Sequence, residues 1–174
     1  MRKKPKMALR IDVLTLFPPF FRGPLQESIL KRAQKNGRVR IEVHNLRDFT
    51  HDRHKTADDK PFGGGAGMIM KPEPIFECAD ALPRGGWVVL LSPQGKPLTQ
   101  KTAKRLAKKR HLVLIAGHYE GVDYRVNEKL VHEEISIGDF ITMGGEAPAL
   151  CLIEAVVRFV PGVLGNKDSL KHES

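Results

Sequence analysis

The sequence is poor in cysteine: Cys78 and Cys151 are the only two among 174 residues. No spacing of ligand-type residues suggests a zinc site, and the pair makes no disulfide framework. Each cysteine lies inside an apolar helical pattern and is expected to be a small buried hydrophobe. The expected compartment is a reducing cytoplasm. Long apolar runs are also missing. Stretches such as Trp87–Leu91 fall far short of the ~20 residues that span a bilayer, so no membrane partner is expected. The basic opening Met1-Arg-Lys-Lys-Pro-Lys6 is followed by no long apolar region, which excludes a secretory signal. Residues 1–9 read as a basic, disordered leader. No internal repeat is visible. Acidic residues are in the minority, with 20 Asp and Glu against 29 Lys and Arg, a formal net charge of +9. That imbalance points to a polyanionic partner, because basic surface gains free energy by displacing counterions from phosphates.

What is present is a regular alternation of strand and helix patterns. Arg10–Phe17 reads as a buried strand. Pro24 opens a helix with Leu25, Ile29, Leu30 and Ala33 on one face and Gly37 as its stop. Val39–His44 alternates as a second strand, followed by a long polar loop, Arg47–Gly67. Helix Pro74–Leu82 leads to strand Trp87–Ser92. Thr99 caps a strongly basic helix through Arg110, and strand His111–Ala116 follows. A short helix begins near Val122, then a strand at Val131–Ser136. A last helix, Ala147–Val160, carries Leu150, Ile153 and Val157 on one face. This alternation implies one α/β domain, residues 10–165, with a mainly parallel sheet and helices on both faces.

Ligands of such sheets bind at the carboxyl ends of strands. Three strands here end in glycine-bearing loops: Ser92–Gly95, Gly117–Gly121 and Ile137–Gly145. Together they suggest a pocket lined by backbone, where amides and carbonyls read an adenine edge without charged side chains. The segment Pro61-Phe-Gly-Gly-Gly-Ala-Gly-Met68 is neither a P-loop nor a dinucleotide fingerprint, since it lacks the Gly-Lys-Ser/Thr ending and follows a loop. It fits a ligand-approaching backbone or a flexible surface loop equally well. His51 and His54 lack a third ligand at metal spacing and read as solvated. The basic helix (Lys101, Lys104, Arg105, Lys108, Lys109, Arg110) is either a wet face or a phosphate contact. Arg158 either neutralises a helix C-terminus or aims a guanidinium fork into a site.

Read in order, a series of segments resembles the successive signatures of one family. They are Ile11-Asp-Val-Leu-Thr-Leu-Phe-Pro18, the glycine-rich segment 61–68, Leu91-Ser-Pro-Gln-Gly95, Gly117-His-Tyr-Glu-Gly-Val-Asp123, Ser136-Ile-Gly-Asp-Phe140 with Gly144-Gly-Glu146, and Arg158-Phe-Val-Pro-Gly162. The family is TrmD, the bacterial tRNA (guanine-N1)-methyltransferases of the SPOUT class. The resemblance implies a deep trefoil knot in the C-terminal part, against the general rule that chains do not thread. It implies a homodimer with its active site at the subunit interface. It also implies methyl transfer from S-adenosyl-L-methionine to N1 of the tRNA guanosine at position 37, just 3′ of the anticodon.

By matching positions, Leu91, Pro93, Gly117, Tyr119, Gly121, Ser136, Ile137, Gly138, Asp139, Phe140, Ile141, Thr142, Gly144 and Gly145 would bind the donor. Pro61, Gly63, Gly64 and Gly65 would approach the target guanine. Arg158 would stabilise charge building on guanine O6, and Glu120 is the acidic residue beside the donor. The family's general base is an aspartate before a serine in the interdomain linker. Here the aligned pair is Glu173-Ser174, one methylene longer, and the nearby Asp168 does not align. Residues 166–174 correspond to the start of that linker, and the family's tRNA-gripping C-terminal domain has no counterpart here. A shortened, dimeric donor-binding domain with little turnover is therefore an alternative. A ribose 2′-O methyltransferase of the same class is another, against which the glycine-rich segment argues. The resemblance also implies magnesium dependence, although no metal cage is legible in the sequence.

Overall fold

The computed structural model describes residues 9–60, 64 and 67–165. In chain order its strands are β1 (Leu9–Thr15), β2 (Val39–Asn45), the two-residue β3 (Asp58–Asp59) and β4 (Ile69–Met70), β5 (Trp87–Pro97), β6 (His111–Ala116) and β7 (Glu133–Ser136). Five of them form one parallel sheet in the order β2-β1-β6-β5-β7, while β3 and β4 make a separate antiparallel pair. Parallel neighbours need crossover connections. The helices α1 (Ser28–Lys35), α2 (Pro72–Asp80), α3 (Gln100–Leu106) and α4 (Tyr124–Lys129) fall in those connections, and α5 (Glu146–Val157) follows β7.

Alternation along the central strands splits the core in two. Ile11, Val13, Val89, Leu91, Leu112 and Leu114 face a cluster with Leu30, Leu106, Leu152, Ile153 and Val156 of α1, α3 and α5. Leu14, Val88, Leu90, Val113 and Ile115 face the other way, against Ile75, Cys78 and Val126 of α2 and α4. Each such fully buried aliphatic side chain contributes about 1.5–3 kcal/mol over exposure. The expected α/β sandwich with a parallel sheet is what forms.

Several boundaries differ from the sequence reading. β1 starts at Leu9, which is fully buried, and stops at Thr15. The Thr15 hydroxyl accepts the Phe17 N–H at 2.9 Å, and Pro18-Pro19 opens a 3-10 turn. Pro24 starts only a 3-10 turn, because Glu27 is extended at φ −116° and ψ 154°, so α1 begins at Ser28. The polar loop contains a further 3-10 turn at Leu46–Phe49, with the Asn45 side chain accepting the Arg47 N–H. α2 begins at Pro72, the first helical position that proline favours. Thr99 does cap α3, accepting the Thr102 N–H, but the helix ends at Leu106.

Beyond that point Lys109 lies over the Trp87 ring at 3.5 Å, while Lys104 sits over Phe159 at 5.3 Å and Arg105 pairs with Glu133 at 2.6 Å. Half of the basic helix's cations are thus engaged within the chain. Cys78 is buried as expected, and burial pushes its thiol up to about 12, with Asp12 and Asp48 adding to the shift. Cys151 is exposed, against expectation. It shares the outward stripe of α5 with Glu154, while Leu152, Ile153 and Val156 take the inner face.

One polar cluster is built into the sheet. Asp12 of β1 is fully buried. Its Oδ1 accepts from His44 Nε2 at 2.7 Å and Arg10 Nη2 at 2.9 Å; its Oδ2 accepts from Arg10 Nε at 2.6 Å and His111 Nε2 at 2.7 Å. Arg10 reaches Glu42 as well, so β1, β2 and β6 are tied together at one level. Burial alone would raise the Asp12 carboxyl, but the bonds from His44, Arg10 and His111 outweigh it and hold it far below the usual range. A depressed folded-state value stabilises the fold above the ordinary carboxyl value of 3.8 and ceases to as pH falls below it. Asp12→Asn is expected to lower unfolding free energy in urea at pH 7 by about 3 kcal/mol, as for a broken buried pair. The same variant should lose less stability than the parent when both are taken to acid. Equal urea midpoints for the two proteins at pH 7 would overturn this account.

Candidate active site

The C-terminal ends of β5, β6 and β7 surround a cavity of about 380 Å³. Three backbone segments wall it, and each is shaped by glycine or by strain. The first is an excursion within β5. Leu91 and Lys96 both pair with Ile135, so residues 92–95 loop out of a strand that then continues to Pro97. The sequence reading ended this strand at Ser92; the structure re-pairs it, and Leu98 N–H donates to Ser136 O at 2.7 Å. Gly95 is obligatory, since a Cβ there would lie 2.5 Å from the Ile135 backbone nitrogen.

The second segment, 117–121, follows β6. Tyr119 has φ +59°, a left-handed conformation rare for an aromatic residue and a local strain of about 1–3 kcal/mol. The segment is stitched to the exit of the glycine-rich stretch. Glu120 N–H donates to Met68 O at 3.0 Å, and Met70 N–H to Gly121 O at 2.9 Å. The Met70 sulfur accepts the His118 N–H at 3.1 Å. Gly67 lies beneath Glu120, where a Cβ would stand 2.5 Å from Glu120 Cγ.

The third segment, 137–145, returns from edge strand β7 to β6. Gly145 N–H donates to Gly117 O at 2.6 Å, and a Cβ on Gly145 would sit 2.7 Å from the Gly117 nitrogen. Within the segment, Thr142 Oγ1 donates to Gly144 O and Ser136 Oγ to Gly138 O. Phe140, Ile141 and Met143 are left exposed on its outer arc.

The structure brings most residues singled out from the sequence to one cavity. Leu91, Pro93, Gly117, Tyr119, Gly121, Ser136, Ile137, Phe140, Ile141, Thr142, Gly144 and Gly145 line it, as does Glu120. Gly138 and Asp139 do not; Asp139 is exposed and Gly138 packs on the Phe140 ring. Gly64 is exposed with φ +82°, and Pro61, Gly63, Gly65, Asp168 and Glu173 lie outside the described residues. Arg158 is the half-buried C-cap of α5 and does not line the cavity.

Sequence reasoning missed His118, Tyr124, Asn127 and Glu134 on the wall. His118 was legible inside its motif. The other three come from α4 and β7, where the Asn127 amide donates to the Glu134 carboxylate, and only the fold juxtaposes them. Asp123 opens α4, and the Arg125 guanidinium beside it holds its carboxyl below the ordinary range, more than offsetting its burial.

Among the described residues, the metal-like group is Asp12, Glu42 and His44. It does not fit magnesium. The Arg10 guanidinium already bonds both carboxylates, and a second cation would meet repulsion there. The group also sits on β1 and β2, strands that contribute nothing to the cavity wall.

A parallel sheet with a cavity at its carboxyl edge, walled by segments from three adjacent strands, is the build of an α/β domain that binds a small ligand at its strand ends. That is the class the fold and the site define. A family model described as tRNA (Guanine-1)-methyltransferase TrmD matches residues 9–174. A tRNA (guanine-N(1)-)-methyltransferase from Dictyoglomus turgidum is 57% identical over 167 residues, covering 95% of this chain and 68% of the relative. One from Desulforamulus reducens is 53% identical over 171 residues, covering 95% of this chain and 67% of the relative. The crystal structure of the tRNA (m1G37) methyltransferase from Aquifex aeolicus superposes with a TM-score of 0.85 at 43% identity, covering 91% of this chain and 73% of that one. The chain belongs to the TrmD family, and it spans about two thirds of the length of these relatives.

Two glycines separate fold from cavity. Gly145→Ala drives a methyl group into backbone and is expected to cost about 1–3 kcal/mol in urea unfolding. Gly117→Ala meets only ordinary contacts, 3.4 Å to Val122 and 3.6 Å to the Leu91 carbonyl, so stability should stay within about 0.5 kcal/mol. Equal destabilisation by the two would contradict the close approach described here.

Proposed function

We propose that this chain transfers a methyl group from S-adenosyl-L-methionine to N1 of the tRNA guanosine just 3′ of the anticodon. The observation that carries the reading is the cavity walled by segments 91–94, 117–122 and 136–145, in a member of a family whose relatives are named tRNA (guanine-N(1)-)-methyltransferases. The cavity volume of about 380 Å³ lies in the range of small-ligand sites. Its residues fit the donor. Leu91, Val122, Ile135, Ile137 and Pro148 offer apolar wall, and the lining glycines Gly117, Gly121, Gly144 and Gly145 add no side chain that would crowd a flat adenine ring. When bound, the donor would supply a sulfonium methyl group, whose S–CH3 bond breaks as the nucleophile attacks the methyl carbon in line and the sulfur leaves as a neutral thioether.

The protein's own task is then to align the acceptor and deprotonate it. Guanine N1 holds a proton at neutral pH, and a carboxylate in hydrogen-bond reach removes it as the N1–methyl bond forms. Glu173 is the carboxylate we assign to that step. Negative charge gathers on guanine O6, where the Arg158 guanidinium stabilises it. Glu120 on the cavity rim orients groups beside the donor. The segment around Gly64 approaches the target base, and the net charge of +9 attracts the tRNA backbone.

We further propose a cytoplasmic homodimer with shared active sites. Gly145 stands at the start of α5 and Arg158 at its end, and a twelve-residue helix rises about 18 Å. Arg158 is thus too far from its own cavity floor to share a reacting base there, and a second copy removes the difficulty. Exposed Phe17, Phe20, Phe140, Ile141 and Met143 supply apolar surface for such a pairing. We also propose that the C-terminal part is threaded; segment 137–145 runs from edge strand β7 back to the end of β6 before α5 packs on α1 and α3.

Incubation with unmodified tRNA and S-adenosyl-L-methionine, followed by nucleoside mass spectrometry, should yield 1-methylguanosine. Methylation of a ribose oxygen instead would defeat this reading. Arg158→Ala should lower kcat by roughly 100-fold or more, as for loss of an oxyanion-stabilising donor, while donor affinity by isothermal titration stays unchanged.

A further inference from the structure

Beside the cavity lies a buried polar relay outside the catalytic scheme. Glu146, the first residue of α5, is only 4% exposed, and Thr15, the last residue of β1, is fully buried. The Thr15 hydroxyl accepts the Phe17 N–H at 2.9 Å, so its own proton is directed onto Glu146 Oε1 at 2.8 Å. The other carboxylate oxygen, Oε2, faces His118 Nδ1 at 3.4 Å. A carboxylate only accepts, so this contact places the imidazole proton on Nδ1. The His118 ring is further held between Phe17, at 4.7 Å between centroids, and Tyr119, at 5.0 Å edge-on.

The backbone agrees with the side chains. His118 and Gly144 form an isolated antiparallel bridge. A Cβ on Gly144 would stand 2.2 Å from His118 Nδ1 and 2.4 Å from Glu146 Oε2. Gly144 is therefore bare because the histidine and the glutamate close over it. The positive end of the twelve-residue helix α5 adds a favourable field for the carboxylate. Three pieces of chain that are remote in sequence meet at Glu146: the end of β1, the 117–121 segment through His118, and the 137–145 segment that Glu146 directly follows.

We propose that Glu146 is a positioning residue for donor binding. Anchored by Thr15, it holds His118 and so clamps the 117–121 wall against the 137–145 wall in the spacing the donor requires. The inference rests on reading this cavity as the donor site. It assigns Glu146 and Thr15, neither of which lines the cavity, a role exerted through His118, which does.

Isothermal titration with S-adenosyl-L-homocysteine tests it on the unsubstituted chain and on Glu146→Gln, Thr15→Val and Thr15→Ser, each first shown to be folded by circular dichroism. Thr15→Val removes the hydroxyl at nearly constant volume, and Thr15→Ser keeps it. The expected result is a Kd raised by about 10-fold in Glu146→Gln and Thr15→Val, and within about twofold of the parent in Thr15→Ser. Thr15→Val should add little in the Glu146→Gln background, because the two act through one relay. In turnover assays the donor KM should rise while the tRNA KM holds, a split that general destabilisation would not produce. Should Glu146→Gln fail to fold, the Thr15 pair carries the comparison alone. Folded variants that bind like the parent overturn the inference and leave the donor-site reading intact. A parent chain that binds no S-adenosyl-L-homocysteine overturns the donor-site reading and the inference with it.

Discussion

The backbones of Gly117 and Gly145 meet with no side chain between them, and the 2.6 Å bond from one to the other sets the spacing of the whole carboxyl edge. Every wall of the cavity is referred to that contact. Segment 117–121 starts at one partner, segment 137–145 ends at the other, and α5 departs from it into the larger core cluster. β5 is fixed by pairing with β6 and β7 on either side. A site of this kind is shaped before any functional side chain is chosen, because main-chain contacts already set its walls. Charged residues are then released for other work. That matches the placement of the buried Asp12 cluster, which holds three strands together well away from the ligand.

Much of the fold was legible in the sequence because the signals were local. β6 was read to the residue, since a six-residue, largely apolar run rich in branched side chains, bounded by a basic stretch and a glycine, fits a buried strand better than a helix. Thr99 was read as a cap because its side chain acts on an amide three residues away. Errors arose where a remote partner decides. β5 was ended at Ser92, where Pro93 and Gly95 read as a turn, yet Ile135 re-pairs the strand at Lys96. Cys151 was placed inside because its neighbours are apolar, but α5 buries a different arc.

The candidate site divides along the same line. Its glycine loops could be named from the sequence, since a glycine after a strand is a local mark. The glutamate, histidine and threonine of the relay sit inside marked segments, but nothing local shows that they touch one another. Thr15 and Glu146 are separated by 131 positions, and only the order β1-β6-β5 brings them to one point. His51 and His54 show the converse. A metal-like pair by type, they lie on the surface, with His51 bonded to Glu77.

The excursion in β5 has a further meaning for how a ligand comes and goes. Its two ends, Leu91 and Lys96, share one partner residue, and Gly95 rests on that partner's backbone. A loop pinned in this way has no hinge and cannot swing aside. Segment 117–121 is likewise tethered, through Met68 and Met70. The outer arc around Phe140, Ile141 and Met143 is anchored at its two ends, by Ser136 to Pro97 and by Gly144 to His118. Two walls of the cavity are thus held along their length and the third only at its ends, so a ligand meets one wall that can yield.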